Sequence, residues 1–229
     1  MEEKNNLLYS YYTIRKVIGL LGILLPVLAV LGYGEFLASI SHYYYTRSAV
    51  FFIAILVSFG LFLVTYRGYP RDKKTELISD NIITHIGGFA AIIVVLFPTS
   101  CSGSGSETIQ QMCNTHTYPL WGHNNAVIST IHLISAGIFL TSMGWMSFFR
   151  FTKGEKTKEK KRKNVLYRTS GLMMWVSILI LLSEFTINYH VTCYDVFILE
   201  TISVFAFGTS WLVKGNAIKD LTGLFSPAT

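Results

Sequence analysis

Two glutamates lie inside long apolar segments, where an ionisable side chain is costly and by default indicates a functional site. Glu184 and Glu200 are each eight residues from Thr192. In an antiparallel helical hairpin that turns at Thr192, the two carboxyl groups lie at about the same depth. Two carboxyl groups in a medium of low dielectric constant do not both ionise easily. The pair is therefore suited to sharing a proton or to holding a cation.

His132 adds a third polar group at a similar depth, because it lies eight residues after Asn124 on the preceding apolar segment. We expect His132, Glu184 and Glu200 to converge on a site that faces the outside. A histidine and two glutamates are ligand types that zinc accepts, but the sequence has no His-Glu-x-x-His spacing. They are therefore weak metal candidates, and no cofactor is predicted. The alternative interpretation is that these groups only form hydrogen bonds within a helix bundle.

Residues 34–47, with the sequence GEFLASISHYYYTR, form a polar stretch between two apolar segments. Tyrosines are favoured at the membrane interface, where an aromatic ring meets water at one edge. We therefore interpret the three adjacent tyrosines as an interfacial belt. Glu35, Ser39, Ser41 and His42 are candidates for the rim of a vestibule above the deeper acidic site.

The elements that must position these residues are apolar and long. The chain of 229 residues is 51% hydrophobic and only 14% charged, and its mean hydropathy is +0.44, which excludes an ordinary water-soluble domain. Six runs are long enough to cross a hydrocarbon core of about 30 Å. The sequence therefore predicts an all-α integral membrane bundle of six transmembrane helices, forming a single domain over residues 1–229. The predicted spans are 15–33, 48–66, 81–98, 124–149, 167–187 and 195–213.

Basic residues fall almost entirely on one side of the predicted bundle. Of the 19 Lys and Arg residues, only Arg47 lies on the other side, and the positive-inside rule then places both termini in the cytoplasm. The loop at 150–166 is cytoplasmic, and we expect its basic run Lys153–Lys163 to contact anionic lipid headgroups rather than nucleic acid. The loop at 99–123 is extracytoplasmic.

All three cysteines are expected on the extracytoplasmic side, where disulfides persist. We favour a Cys101–Cys113 pair, which closes a short loop. Pairing of Cys101 with Cys193, and three unpaired thiols, are the alternatives.

Two further features predict how the helices begin and pack. Asp80 is expected to cap the third span, because its carboxylate can accept the free N–H groups of the first turn. Residues in the first span, most of them small, recur at steps of three and four, which favours the close approach of another helix. These seam positions are Gly19, Gly22, Pro26, Ala29 and Tyr33.

Four short motifs give the chain a family resemblance. They are SISHYYYT at 39–46, GLFLVTYRGY at 60–69, FPT at 97–99 and AFGTSWLVKG at 206–215. The chain resembles a group of small, uncharacterised bacterial polytopic inner-membrane proteins that contain similar sequence motifs. It is also similar in size and span number to six-helix proteins of the Frag1/DRAM/Sfk1 type. The resemblance implies a location in the bacterial inner membrane and no established reaction.

The leading functional hypothesis is that the outward-facing acidic and histidine site binds a small or lipid-like ligand or a cation, with passage of that ligand as an extension. The bilayer itself is the expected partner. One alternative is an outward-facing, metal-dependent membrane hydrolase at the same residues. The other is a non-catalytic assembly or accessory protein. The sequence does not decide whether the protein is an enzyme, and it favours a function without catalysis.

Overall fold

The computed structural model describes residues 2–68, 78–115, 125–154, 157–187 and 191–217, with side chains described from Ser10 onward. Residues 116–123 of the predicted outer loop lie outside the described residues. So do residues 155–156 of the predicted basic run and the segment 218–229.

The described chain is helical and contains no strand, which confirms the all-α prediction. Six helices fall on the six predicted apolar segments, and a seventh, α4, lies inside the predicted outer loop. A 3-10 helix, Ile40–Tyr45, precedes α2, and a π-helix, Met146–Arg150, extends α5. The α-helices are α1 (Glu2–Tyr33), α2 (Ala49–Thr65), α3 (Asp80–Leu96), α4 (Glu107–Thr115), α5 (Ala126–Trp145), α6 (Lys158–Ile187) and α7 (Asp195–Lys214).

Four of these helices are long and apolar enough to cross a membrane. They cover Ser10–Tyr33, Ala126–Arg150, Lys158–Ile187 and Asp195–Lys214. The other two apolar helices, α2 and α3, have 17 residues each. At a rise of 1.5 Å per residue, 17 residues span about 25 Å, slightly less than a typical hydrocarbon core. The length and apolar composition of the four longer helices are consistent with an integral membrane protein.

Short polar and glycine signals set where the helices begin and end. Gly34 follows α1 with a φ of 98°, a left-handed conformation that glycine adopts without strain. Its N–H donates to the carbonyl oxygen of Val30 at 2.7 Å, which closes the last turn of the helix. The Asn125 side chain accepts from the N–H of Val127 at 2.9 Å and so caps α5.

The six apolar helices pack in a closed ring. Along the ring, α1 contacts α2, α2 contacts α3, α3 contacts α5, α5 contacts α6, α6 contacts α7, and α7 returns to α1. The ring is stabilised by helix crossings at which only glycine fits. A Cβ atom at Gly208 of α7 would lie 2.6 Å from the carbonyl oxygen of Gly19 in α1. The same relationship joins α2 to α3 at Gly60 and Gly88, and α5 to α6 at Gly144 and Gly171.

The predicted glycine seam of the first span is therefore a real packing surface against α7. A Cβ atom at Gly22 would lie 2.9 Å from the ring of Phe207 and 3.1 Å from Gly208. Backbones this close gain the dispersion contacts that drive association of helices in lipid.

One end of the bundle carries buried charged groups. Asp80 accepts a hydrogen bond from Arg150 within an ion pair, and the two side chains are only 1% and 3% exposed. The prediction that Asp80 caps its helix is wrong, because Ser79 is the cap and its hydroxyl accepts from the N–H of Ile82. The long-range partner of Asp80 lies 70 residues away, beyond what local spacing reveals.

The predicted cytoplasmic loop at 150–166 also differs from the structure. Arg150, at the start of the predicted loop, is buried. The helix α6 begins at Lys158, so the second half of the predicted loop is helical. From this helix, Lys163 donates to the side-chain oxygen of Asn216 just after α7, at 3.2 Å.

Candidate functional site

The 3-10 helix Ile40–Tyr45 folds into the bundle, and most of its residues are buried. Tyr43 is 0% exposed and Tyr45 is 3% exposed. The hydroxyl of Tyr43 donates to the carbonyl oxygen of Glu35 at 2.8 Å, and burial raises the pKa of Tyr43 to about 12. The interpretation as an interfacial belt is therefore wrong for Tyr43 and Tyr45, because their hydroxyl groups bond within the protein.

Glu200 of α7 is anchored to the start of this 3-10 helix. The hydroxyl of Ser39 donates to both carboxylate oxygens of Glu200, at 3.0 and 2.9 Å. The N–H of Ile40 donates to the same carboxylate at 2.6 Å. Ser39 also caps the 3-10 helix, because its oxygen accepts from the N–H of Ser41. The acid thus has three hydrogen bonds while it remains part of a cavity wall.

His132 of α5 lies directly behind Ser41. Its Nδ1 atom is 3.0 Å from the carbonyl oxygen of Val94 and 2.8 Å from that of Phe97. Its Nε2 atom is 2.9 Å from the hydroxyl oxygen of Ser41. Carbonyl oxygens only accept hydrogen bonds, so Nδ1 carries the proton, and the neutral ring accepts at Nε2 from Ser41.

Ser39, Ser41 and Glu200 border a cavity of about 830 Å³ at the end of the bundle opposite the Asp80–Arg150 pair. The volume is within the range of small-molecule sites in proteins. None of the described residues that line it is a Lys or Arg. Its wall combines hydroxyl groups, an imidazole and carboxylates. Its polar lining residues include Ser39, Ser41, His42, Ser129, Asp195 and Glu200.

His42 is held neutral at physiological pH. Its side chain is only 7% exposed, and burial lowers its pKa from 6.5 to about 4. The backbone of Ser100 partly opposes this shift, and the neighbouring His132 ring adds slightly to it. A neutral imidazole can donate and accept, so His42 offers the cavity a hydrogen-bonding group without positive charge.

Asp195 has a structural role at the mouth of the cavity. Its carboxylate accepts from the N–H groups of Val191 and Thr192, at 2.6 and 3.0 Å, and from the Thr192 hydroxyl at 2.7 Å. These bonds shape the turn before α7. Glu200 is therefore the acid that is placed to meet a ligand.

The structure brings together five of the seven predicted binding residues. Ser39, Ser41, His42 and Glu200 line the cavity, and His132 contacts Ser41 from behind. Glu184 lies on α6 and is not among the lining residues, although its neighbour Phe185 is. Glu35 is an exposed surface residue outside the lining.

Sequence reasoning missed the part that the segment after α3 takes in the cavity wall. Ser100, Ser102, Gly105 and Gln110 line it, and the N–H of Ser100 donates to the hydroxyl of Ser129 at 3.2 Å. The cysteine pair was the available signal, because Cys101 follows the third apolar segment closely and its disulfide holds α4 near the end of that helix.

Cys101 and Cys113 lie within disulfide-bonding distance, with their Cα atoms 6.4 Å apart. This confirms the favoured pairing. Cys193 is exposed and unpaired, so the alternative Cys101–Cys193 pairing is wrong. The disulfide joins α4 to the segment after α3.

Among the described residues, no group of three or more His, Cys, Asp or Glu side chains is arranged to hold a metal ion. The weak metal candidates His132, Glu184 and Glu200 therefore do not form a ligand set there. Both ring nitrogens of His132 are already engaged in hydrogen bonds.

Comparison with known proteins adds no relative. No family model, curated protein or solved structure matches the chain. The resemblance to Frag1/DRAM/Sfk1-type proteins stays a prediction.

Proposed function

We propose that this protein binds a small polar or lipid-like ligand, neutral or cationic, in the cavity bordered by Glu200. The supporting observation is a carboxylate on the cavity wall, with no Lys or Arg among the described lining residues. Such a site favours positive charge and disfavours anions. The serine hydroxyls and the neutral His42 ring supply hydrogen bonds for a polar headgroup.

The membrane arrangement in this proposal has six spans with both termini in the cytoplasm. The distribution of Lys and Arg supports that orientation. In the structure, Arg15 donates to Tyr66 at the end of α2, at 2.8 Å, and Arg150 donates to Asp80 at the start of α3. Both arginines therefore lie at the same end of the bundle. The cavity lies at the opposite end, which the proposal places outside the cell. The resemblance alone supports the bacterial inner membrane.

Binding is favoured over passage because aromatic rings fill the bundle beneath the cavity. The ring centres of Phe59 and Phe207 are 4.9 Å apart, and Phe139 lies 5.7 Å from Phe207 and 6.2 Å from Phe59. Trp211 continues the layer and is 0% exposed. A ligand that entered from the outside would meet a packed aromatic layer.

The native thiol of Cys193 provides a test, because it lines the cavity and is exposed. Purified protein in lipid nanodiscs is treated with a maleimide in the presence of one of three probes. These are a short-chain lysophosphatidylcholine as the lipid-like probe, tetramethylammonium as the free cation, and hexanoate as the anion. We expect the first or the second to slow alkylation, and hexanoate to have no effect.

Two variants connect the protection to the proposed site. Glu200→Gln is expected to weaken protection by about tenfold, equal to about 1.4 kcal/mol of binding free energy. Glu35→Gln removes a negative charge from the exposed rim and is expected to leave protection unchanged. The proposal is wrong if no probe protects Cys193, if hexanoate protects as well as the cation, or if Glu200→Gln behaves like Glu35→Gln.

A further inference from the structure

We propose that Ser41 is a catalytic nucleophile activated by His132, and that the cavity acts on carboxylic esters by acyl transfer to Ser41. This inference rests on the proposed ligand site, because Ser41 lines the same cavity. The geometry that carries it is the 2.9 Å contact between the Ser41 hydroxyl oxygen and the Nε2 atom of His132. A serine beside a correctly oriented base is the usual arrangement of an activated hydroxyl nucleophile.

The tautomer of His132 is fixed in the form that a general base requires. Its Nδ1 proton is shared between the carbonyl oxygens of Val94 and Phe97. Val94 lies in the last turn of α3 and Phe97 directly follows that helix, so both carbonyl oxygens lie at the helix end, where such groups need donors from outside. Nε2 is therefore left with a lone pair directed at Ser41.

The same two carbonyl oxygens replace the carboxylate of a Ser-His-Asp triad. In a triad the acid orients the imidazole and stabilises the imidazolium that forms during the reaction. Here two carbonyl dipoles orient the ring and point their negative ends at Nδ1. His132 is only 2% exposed, so its ring is held in place, and water competes little for these contacts.

The reaction balances without a cofactor or an oxidant. The Ser41 oxygen attacks the carbonyl carbon of the ester while its proton moves to Nε2 of His132. The bond from that carbon to the alkoxy oxygen then breaks, and the departing alcohol takes the proton from Nε2. Water attacks the acyl-Ser41 ester, giving up a proton to Nε2, and release of the carboxylic acid returns the proton to Ser41.

The cavity wall favours esters with an apolar acyl part. Leu133 of α5 and Phe185 of α6 line it and are 41% and 51% exposed. Exposed apolar side chains beside a hydroxyl-rich wall can hold a hydrocarbon chain while the ester group lies near Ser41. An acyl ester with an uncharged or cationic alcohol part is the substrate class that matches both surfaces.

The test uses a fluorophosphonate probe, which phosphonylates activated serines and releases fluoride. The full chain in lipid nanodiscs is labelled, and the modified peptide is located by mass spectrometry. We expect labelling at Ser41, none in Ser41→Ala, and a rate at least about 100-fold lower in His132→Ala, the scale of a lost general base. Ser183→Ala is the matched control, because Ser183 lies exposed on α6, outside the cavity lining, and should label at the wild-type rate.

A second variant keeps the inference testable if Ser41→Ala or His132→Ala fails to fold. Ser41→Cys retains a side chain that can bond to His132, and its thiol should react with iodoacetamide faster than Cys193 does. The inference is overturned if Ser41 is not labelled, or if His132→Ala labels as fast as wild type. Protection of Cys193 by the binding probes without labelling of Ser41 would leave the proposed function intact and end the catalytic inference alone.

Discussion

Ser39 donates its hydroxyl proton to the carboxylate of Glu200, which lies 161 residues further along the chain, at 2.9 Å. Together with the N–H of Ile40, this contact fastens the segment between α1 and α2 to α7. Two helices that already cross closely at Gly19 and Gly208 are thus also joined by a polar clamp at the cavity end of the bundle. Glu200 therefore supports the cavity wall and contributes an acidic group to it.

Removal of this acid should affect stability in proportion to the number of hydrogen bonds that are lost. Glu200→Leu leaves the Ser39 hydroxyl and the Ile40 N–H without their acceptor, and each unsatisfied buried donor costs about 1–3 kcal/mol. Glu200→Gln retains one acceptor oxygen and should cost about 1 kcal/mol. The measurement is the free energy of unfolding in mixed detergent micelles. Equal stability of both variants and wild type would show that the clamp contributes nothing.

Acid should destabilise the protein through His42. Burial lowers the pKa of His42 from 6.5, the value for an exposed histidine, to about 4 in the folded protein. Between pH 6.5 and 4, His42 is therefore protonated in the unfolded chain but neutral in the folded protein. Stability is full above pH 6.5 and declines as the pH falls toward 4, by about 3 kcal/mol in total. The check is the unfolding free energy of wild type and His42→Gln across this range. His132 and Glu200 also face this region, and their contributions remain in both proteins. Parallel curves for the two proteins would contradict the prediction.

The Asp80–Arg150 ion pair should be far more sensitive to the loss of one partner than to the loss of both. Asp80→Asn leaves a buried guanidinium without its counter-charge, which typically costs about 3–5 kcal/mol. Asp80→Leu combined with Arg150→Met removes both charges and should recover most of that loss. The readout is again the unfolding free energy. A double variant that is less stable than Asp80→Asn would show that the pair itself stabilises the fold.

The crossing of α1 and α7 should not tolerate even one methyl group. Gly208→Ala places a Cβ atom 2.6 Å from the Gly19 carbonyl oxygen, and overpacking of this kind costs about 1–3 kcal/mol. Gly137→Ala is the matched control, because a Cβ atom at Gly137 has no neighbour within 4 Å. Thermal unfolding midpoints compare the two variants. The packing account is contradicted if Gly208→Ala unfolds at the same temperature as Gly137→Ala.

Long apolar runs made the helices predictable, because the length of a run and its hydropathy are local properties. The six apolar helices lie on the predicted segments, with ends shifted by short caps such as Ser79 and Asn125. The pairing of Asp80 with Arg150 was missed because a charged residue beside a helix start reads locally as a cap. The tyrosine stretch was misinterpreted because interfacial preference describes an average and does not account for hydrogen-bond acceptors nearby in space, such as the Glu35 carbonyl oxygen.

The candidate site could be predicted in part for a similar reason. Counting residues from a turn gives the depth of a side chain in a helix, and this placed Glu200 and His132 at one level. Counting does not give the rotation of each helix about its axis, which is set by packing. Glu184 is absent from the cavity lining, although its neighbour Phe185 lines it. The contact between Ser41 and His132 depends on a 3-10 helix, which the periodicity of the sequence did not predict.

The most direct test of the central claim is the charge preference of the outer cavity. In a Cys193→Ser background, Ser129→Cys places a thiol on the cavity wall, and cationic and anionic methanethiosulfonates are applied to the outside of intact cells. We predict that the cationic reagent reacts about tenfold faster, relative to a free thiol in solution, and that this preference falls clearly in Glu200→Gln but is unchanged in Glu35→Gln. No reaction from the outside, or a preference that Glu200→Gln leaves unchanged, would contradict an outward-facing cavity to which Glu200 contributes negative charge.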